Sequence, residues 1–210
     1  MPPDRDPERT RDQILDAAAD VFADKGFDAT RMDDVVAASG LSKGTVYWHY
    51  KSKEGLLEAV LRRFVGVELR SLERVGQREG SVADGLLQYV EQVMTEVQHL
   101  GPMMRLLLEF YALALRRGWA RHYLAVYYAE FRARLADVVA IGVERGEFRR
   151  VAPADVAIAL TGLLEGLILL WVADESSVQI DQHARVAVQL FLDGLRSRPG
   201  EEGETVDAGS

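Results

Sequence analysis

The sequence predicts an all-α protein of about nine helices, a small N-terminal three-helix domain followed by a larger helical bundle. Two observations carry that reading. Apolar residues recur at three- and four-residue spacing along nearly the whole chain, the period of a helix with one buried face. No stretch alternates Val, Ile or Thr with polar residues long enough to build a sheet, and no internal repeat is present.

The elements follow from the stripes and their punctuation. Ile14, Leu15, Ala18, Val21 and Phe22 form the stripe of a first helix; Asp6 with Pro7, or Thr10 with Gln13, starts it, and Gly26 stops it. Thr30 with Asp33 three residues later reads as a capping-box start for a short second helix ending at Ser39-Gly40. Ser42 caps a third helix running to about Tyr50. Ser52 caps a fourth, with Leu56, Leu57, Val60 and Leu61 on its apolar side. Ser81 and Asp84 open a helix bearing Leu86, Leu87, Val90 and Val93, which Gly101-Pro102 breaks. The next runs to about Arg117, and an aromatic-rich helix spans about Trp119 to Glu144. Pro153 at a first helical position begins an apolar helix, and a last one spans about Asp181 to Arg196. The expected organisation is a flexible arm over 1–8, a small helical domain over 9–51, a body over 52–197 with 52–74 as connecting helix, and a disordered tail over 198–210.

Composition excludes several classes of chemistry. The 210 residues contain no cysteine, so disulfides, zinc–thiolate sites and thiol nucleophiles are ruled out. The four histidines, His49, His99, His122 and His183, lie far apart with no paired-ligand spacing. No phosphate-cradling glycine loop occurs, and the chain offers no predicted strand to carry a nucleophile elbow. No enzyme, cofactor or metal is expected. The N-terminus lacks the apolar core of a signal peptide, so the cytoplasm is the expected location. Val156 to Ala173 is apolar apart from Thr161 and Glu165 and sits at the lower limit for a bilayer span. A carboxylate in mid-segment argues instead for burial in a core or an oligomer interface, with no membrane partner.

The formal net charge of −8 looks wrong for a DNA-binding protein, and even the first 56 residues hold eight Lys/Arg against eleven Asp/Glu. Only charges facing phosphate release counterions, however, so distribution outweighs the sum. Between Gly40 and Lys53 the chain carries Lys43, Lys51 and Lys53 and no acid. That stretch holds the turn and second member of two short helices separated by a glycine turn, the helix-turn-helix arrangement. Lys43 can reach a base acceptor or a phosphate, Gly44 allows close backbone approach, and the Thr45 methyl and hydroxyl can meet a base edge. Tyr47, His49, Lys51 and Lys53 are donors suited to phosphate oxygens.

The run Ile14-Leu15-Asp16-Ala17-Ala18, then Phe22, Gly26, Phe27 and Thr30, then Val35 through Tyr50 and Lys53-Glu54-Gly55-Leu56-Leu57, carries a resemblance. Residues 10–57 resemble the DNA-binding domain of the tetracycline-repressor (TetR) family. The resemblance implies that Lys43, Gly44, Thr45 and Tyr47 approach bases or adjacent backbone. It implies phosphate contacts for Tyr47, His49 and Lys53, and for Thr30 and Arg31. Trp48 and Tyr50 are expected to pack inward. The chain departs from the pattern at Asp33 and Asp34; Asp33 is expected to serve as a cap.

In that family the C-terminal helices bind ligand and dimerise. Here Met103, Met104, Leu107, Phe110, Tyr111, Trp119, Tyr123 and Tyr127, with Leu164, Leu167 and Trp171, are the candidate pocket for an apolar or aromatic effector, although such a stripe is more often plain core. Glu109, Glu130 and Glu165 fall near it; a buried carboxylate among them would favour a cation. Gly162, Leu163, Gly166 and Leu170, with Val188, Phe191 and Leu195, are the candidate dimer interface. The expected partners are a second copy of the chain, a small-molecule effector and double-stranded DNA carrying an inverted repeat. A ligand that tilts the connecting helix would change the spacing of the two recognition helices. Repression with release by ligand is the expected function; activation, and control by a protein ligand, are alternatives within the class.

Overall fold

The computed structural model describes residues 6–196 and, within them, all side chains except those of 64–68 and 102. Among the described residues there are nine α-helices and no strand. They are α1 (Pro7–Lys25), α2 (Met32–Ser39), α3 (Lys43–His49), α4 (Lys53–Gln77), α5 (Val82–His99), α6 (Pro102–Ala114), α7 (Gly118–Glu144), α8 (Pro153–Ala173) and α9 (Ile180–Leu195). The tail over 198–210 and residues 1–5 of the arm lie outside the described residues. Pro7 and Glu8, expected in the arm, form the first turn of α1: the Asp6 carboxylate accepts the Glu8 N–H at 3.0 Å.

The chain divides into two compact units, one comprising the residues up to Glu68 with His99–Tyr127, the other Leu69–Gln98 with the residues from Tyr128 onward. The first therefore reaches beyond the expected 9–51. Helices as short as α2 and α3 bury too little apolar surface to hold themselves together. Ile14, Ala18 and Phe22 of α1, Val35 of α2, Val46 of α3 and Leu56, Leu57 and Val60 of α4 share one core with Leu106, Phe110 and Leu113 of α6 and Ala120 of α7. Burying a Phe or Leu side chain contributes about 1.5–3 kcal/mol, so α6 is a structural part of this unit.

In the second unit, Phe131, Leu135, Val138 and Val139 of α7, Leu86, Val90 and Met94 of α5, Leu160 of α8 and Val188 and Leu192 of α9 are buried. Close approach is built in at Gly142, where an added Cβ would lie 2.3 Å from the Phe148 ring. Phe148 in turn makes an isolated antiparallel bridge with Arg196, which ties the end of α9 to the turn after α7. The α5 start is capped from a distance. The Glu147 carboxylate accepts the N–H groups of Val82 and Ala83 at 2.7 and 2.8 Å and the Ser81 hydroxyl at 2.5 Å.

Candidate nucleic-acid interface

The turn between α2 and α3 is set by Gly40, whose φ of 65° is left-handed and favours glycine. Ser42 then starts α3: its hydroxyl accepts the Thr45 N–H at 3.1 Å. Val46 is fully buried and Tyr50 nearly so, and these two fix the inner face of a seven-residue helix. So short a helix needs outside support. Three side chains of α1 supply it, one at the end of α3 and two by holding α2. Arg11 Nε donates to the Tyr50 hydroxyl at 3.2 Å, Gln13 Nε2 to the Ser39 carbonyl at 2.7 Å, and Lys25 Nζ to Asp34 Oδ1 at 2.8 Å.

The outer face of α3 presents Lys43 and Gly44, both exposed, with Thr45, Tyr47 and His49 half-buried. Thr45 Oγ1 shares a hydrogen bond with Ser42 Oγ at 2.8 Å, leaving its methyl for an apolar contact. The Lys43 ammonium lies 5.5 Å from the Tyr47 ring centroid and 2.8 Å from Asp33 Oδ1. The hydrogen bond that the ammonium donates to Asp33, with that carboxylate's charge, holds the Lys43 pKa above its ordinary value. Arg31 and Lys51 are exposed.

Several expected residues stand elsewhere. Trp48, expected to pack inward, is 70% exposed and stacks edge-on against His49 at 4.7 Å between centroids. Thr30, expected at phosphates, is 1% exposed, and its hydroxyl donates to the Gly26 carbonyl at 2.7 Å. The cap of α2 belongs to Arg31 and Asp34, one residue later than expected: the Arg31 N–H donates to Asp34 Oδ2 at 2.7 Å. The Lys25 ammonium and that N–H hold the Asp34 carboxyl below its ordinary pKa. Asp33 is thereby free to reach across to α3. Lys53 donates to the carbonyls of Phe27 and Asp28 at 2.6 and 3.2 Å and sits 4.3 Å over the Phe27 ring, so its ammonium braces the loop before α2. Glu109 of α6 acts on the same loop, accepting the Phe27 N–H at 2.9 Å.

Of the candidate pocket residues, Met103, Met104, Leu107, Phe110, Tyr111, Trp119, Tyr123 and Tyr127 belong to the first unit, and Leu164, Leu167 and Trp171 to the second. Phe110 is 2% exposed and packs on Trp119 and Tyr123 at 5.7 and 5.5 Å, while Trp119 meets Phe27 at 5.5 Å. Met103, Phe110, Trp119 and Tyr123 therefore brace the helices that carry α3. Burial pushes the Tyr123 hydroxyl pKa up to about 12. In the second unit the Tyr128 hydroxyl donates to Glu165 Oε1 at 2.7 Å.

The candidate dimer residues divide likewise. Val188 and Leu195 are buried within the chain's own second unit, because Ala184, Val188, Leu192 and Leu195 make the inward stripe of α9. Gly162 and Leu170 are exposed, and Leu163, Gly166 and Phe191 are intermediate. The outward apolar residues that spacing missed are Ile158 and Leu169 on α8 and Val186 and Leu190 on α9.

A seven-residue helix clamped in place with a basic, aromatic outer face is a DNA-reading element, and comparison with known proteins places it in a family. Residues 14–60 match the model for bacterial regulatory proteins of the tetR family. Residues 82–196 match that for the C-terminal part of BetI-type transcriptional repressors. The chain belongs to the TetR family and is a DNA-binding transcriptional regulator rather than an enzyme. It is 31% identical to the HTH-type transcriptional regulator YfiR of Bacillus subtilis over 74% of this chain and 77% of that protein. It is 27% identical to the HTH-type transcriptional repressor KstR2 of Rhodococcus jostii, over 89% and 91%. SmeT, the repressor of a Stenotrophomonas maltophilia multidrug efflux pump, shares the fold with a TM-score of 0.77 at 21% identity, over 92% of this chain and 96% of SmeT; SmeT is also known in complex with triclosan.

Proposed function

We propose that the protein represses transcription as a homodimer on an inverted-repeat operator and is released by a small apolar or aromatic molecule bound in its helical body. The observation that supports this most is the α3 surface, where Lys43, Gly44, Thr45, Tyr47 and the exposed Trp48 project from a helix held to α1 directly at Tyr50 and indirectly through α2. In this reading Lys43, Thr45 and Trp48 meet the major groove, and Arg31, Tyr47, His49 and Lys51 hold phosphates. Two such helices on a two-fold axis must lie about 34–36 Å apart, or a multiple of it. A regulator of this kind acts where the chromosome is, in the cytoplasm.

Dimerisation is supported by the outward strip of α8 and α9. Leu170 is 59% and Leu190 69% exposed, and nothing lies within 4 Å of a Cβ placed on Gly162 or Gly166. By length and composition α8 could cross a membrane, with a mean hydropathy of 2.2. A second protomer is the better cover, because Glu165 sits in mid-helix as a carboxylate hydrogen-bonded to Tyr128.

Release is supported by the first unit's construction. Glu109 and Phe110 of α6 touch the Phe27 loop and the α1 core, so an effector that shifts α6 or α4 shifts the base of α3. The test uses full-length protein and a fluorescent duplex selected from a randomised library. Its affinity is measured by polarisation, with and without triclosan as an aromatic probe. The expected result is saturable, salt-sensitive binding that weakens with the probe. Unchanged affinity while the probe is demonstrably bound would end the release model.

A further inference from the structure

Resting on the reading of α3 as the DNA-contacting helix, we propose that Asp33 is a specificity-determining residue: with Lys43 it forms one two-headed group that reads a G·C base pair in each half-site.

Three observations lead there. Asp33 has no local duty, since the α2 start is completed by its neighbour Asp34 through the Arg31 N–H and the Lys25 ammonium. Its carboxylate instead bridges from the second residue of α2 to the first of α3, at 2.8 Å from Lys43 Nζ. Both side chains are about two-thirds exposed, at 66% and 64%. An ion pair in that much water contributes little to stability, so its consequence lies in what the ammonium does next.

A lysine without a partner is a mobile point charge on a four-carbon stem, and any phosphate satisfies it. Such a contact adds affinity without sequence information and makes binding more salt-dependent. Held by Asp33 and lying near the Tyr47 ring, the Lys43 ammonium is fixed above the first turn of α3 with donors to spare. In the major groove a G·C pair presents guanine O6 and N7 as acceptors beside the cytosine N4 amino donor. Lys43 matches the first and the Asp33 carboxylate the second. An A·T pair sets its amino donor between the acceptors adenine N7 and thymine O4, so it offers the ammonium no two adjacent acceptors, and a phosphate offers nothing to a carboxylate but repulsion. The same Asp33 charge therefore weakens binding to random sequence while sharpening choice at one position.

The experiment selects duplexes from a randomised library with the full-length protein. It then measures affinities for the best duplex, its single-base variants and an unrelated duplex, at two salt concentrations. Asp33→Asn, Lys43→Met and the double variant are compared with the parent; both positions are exposed, so helix content and melting temperature should not move. The parent is expected to prefer G·C at one position per half-site by roughly ten-fold. Asp33→Asn should lose most of that preference, bind the unrelated duplex several-fold more tightly, and steepen the log–log salt slope by about 0.9 per half-site as Lys43 moves to phosphate. Lys43→Met should lose preference at the same position, and the double variant should be no less selective than Lys43→Met alone. The proposal is overturned if Asp33→Asn tightens binding to all sequences equally with base preferences intact, or if the two single variants affect different positions. A parent that binds no duplex at all would instead remove the reading of α3 on which this rests.

Discussion

The α2–α3 surface and the α8–α9 surface are both open to water, and they are built in opposite ways. The first is charged and aromatic, on two helices too short to persist unaided and pinned to α1 by Arg11, Gln13 and Lys25. The second is an apolar strip on helices that already hold each other through Leu160, Ala184, Val188 and Leu192. A surface that must meet a polar polymer is held by polar clamps and keeps its charges hydrated. A surface proposed to meet a copy of itself needs only shape and apolar area.

The largest effect should come from separating the two surfaces. Leu170→Glu combined with Leu190→Glu puts charges where the chain itself makes little contact, so the protomer should stay folded. If the strip is the dimer interface, sedimentation should show a monomer. Operator affinity should then fall by about 10²–10⁴, the advantage that joining two half-site contacts confers. A variant that remains dimeric with full affinity would place the interface elsewhere.

Legibility in the sequence divides along the same line. The stop of α2 and the start of α3 were readable because Gly40 and Ser42 act locally, through a left-handed φ and a hydroxyl cap. Trp48, placed inward by the resemblance, is 70% exposed, as its own spacing requires. Val46 and Tyr50, four residues apart, already define the buried face, and Trp48 stands two residues from each, roughly opposite on a helix of 3.6 residues per turn. The one-residue displacement of the α2 cap hid Asp33 for a similar reason: Thr30 resembles a cap, but its hydroxyl turns back to Gly26. The aromatic run from Phe110 to Tyr123 could be pocket or core by spacing, and nothing local says that α6 packs on α1. Likewise α9 carries apolar residues on two faces, and only tertiary packing shows that Val188 points in and Leu190 out.

Trp48 gives the next test, since an exposed ring on α3 should behave unlike a buried one. Trp48→Ala is expected to leave the melting temperature within about a degree, because surface changes stay within roughly ±0.5 kcal/mol. Operator affinity should drop about ten-fold, the equivalent of about 1.4 kcal/mol. Calorimetry and polarisation on the same preparation check both halves. A large loss of stability with DNA binding intact would return Trp48 to a packing role.

The smallest effect should fall on stability alone, within the second unit. Burial would raise the Glu147 pKa, but hydrogen bonds from the Ser81 hydroxyl and the Ala83 and Val82 N–H groups outweigh it and hold it below the ordinary carboxylate value. Glu147→Gln removes the charge and one acceptor oxygen, at a cost of about 1 kcal/mol for this largely solvated group. A carboxyl with a depressed folded-state pKa stabilises above its unfolded value, about 4.3, and loses that contribution as pH falls through the lower folded value. The gap in melting temperature between parent and Glu147→Gln should therefore be complete at pH 7, begin to close only near pH 4.5, and shrink further below it. Base preference on duplex DNA should be unchanged, since Glu147 lies in neither α2 nor α3. A gap that widens on acidification would mean that the carboxyl caps α5 in its protonated form and that the assigned hydrogen-bond directions are wrong.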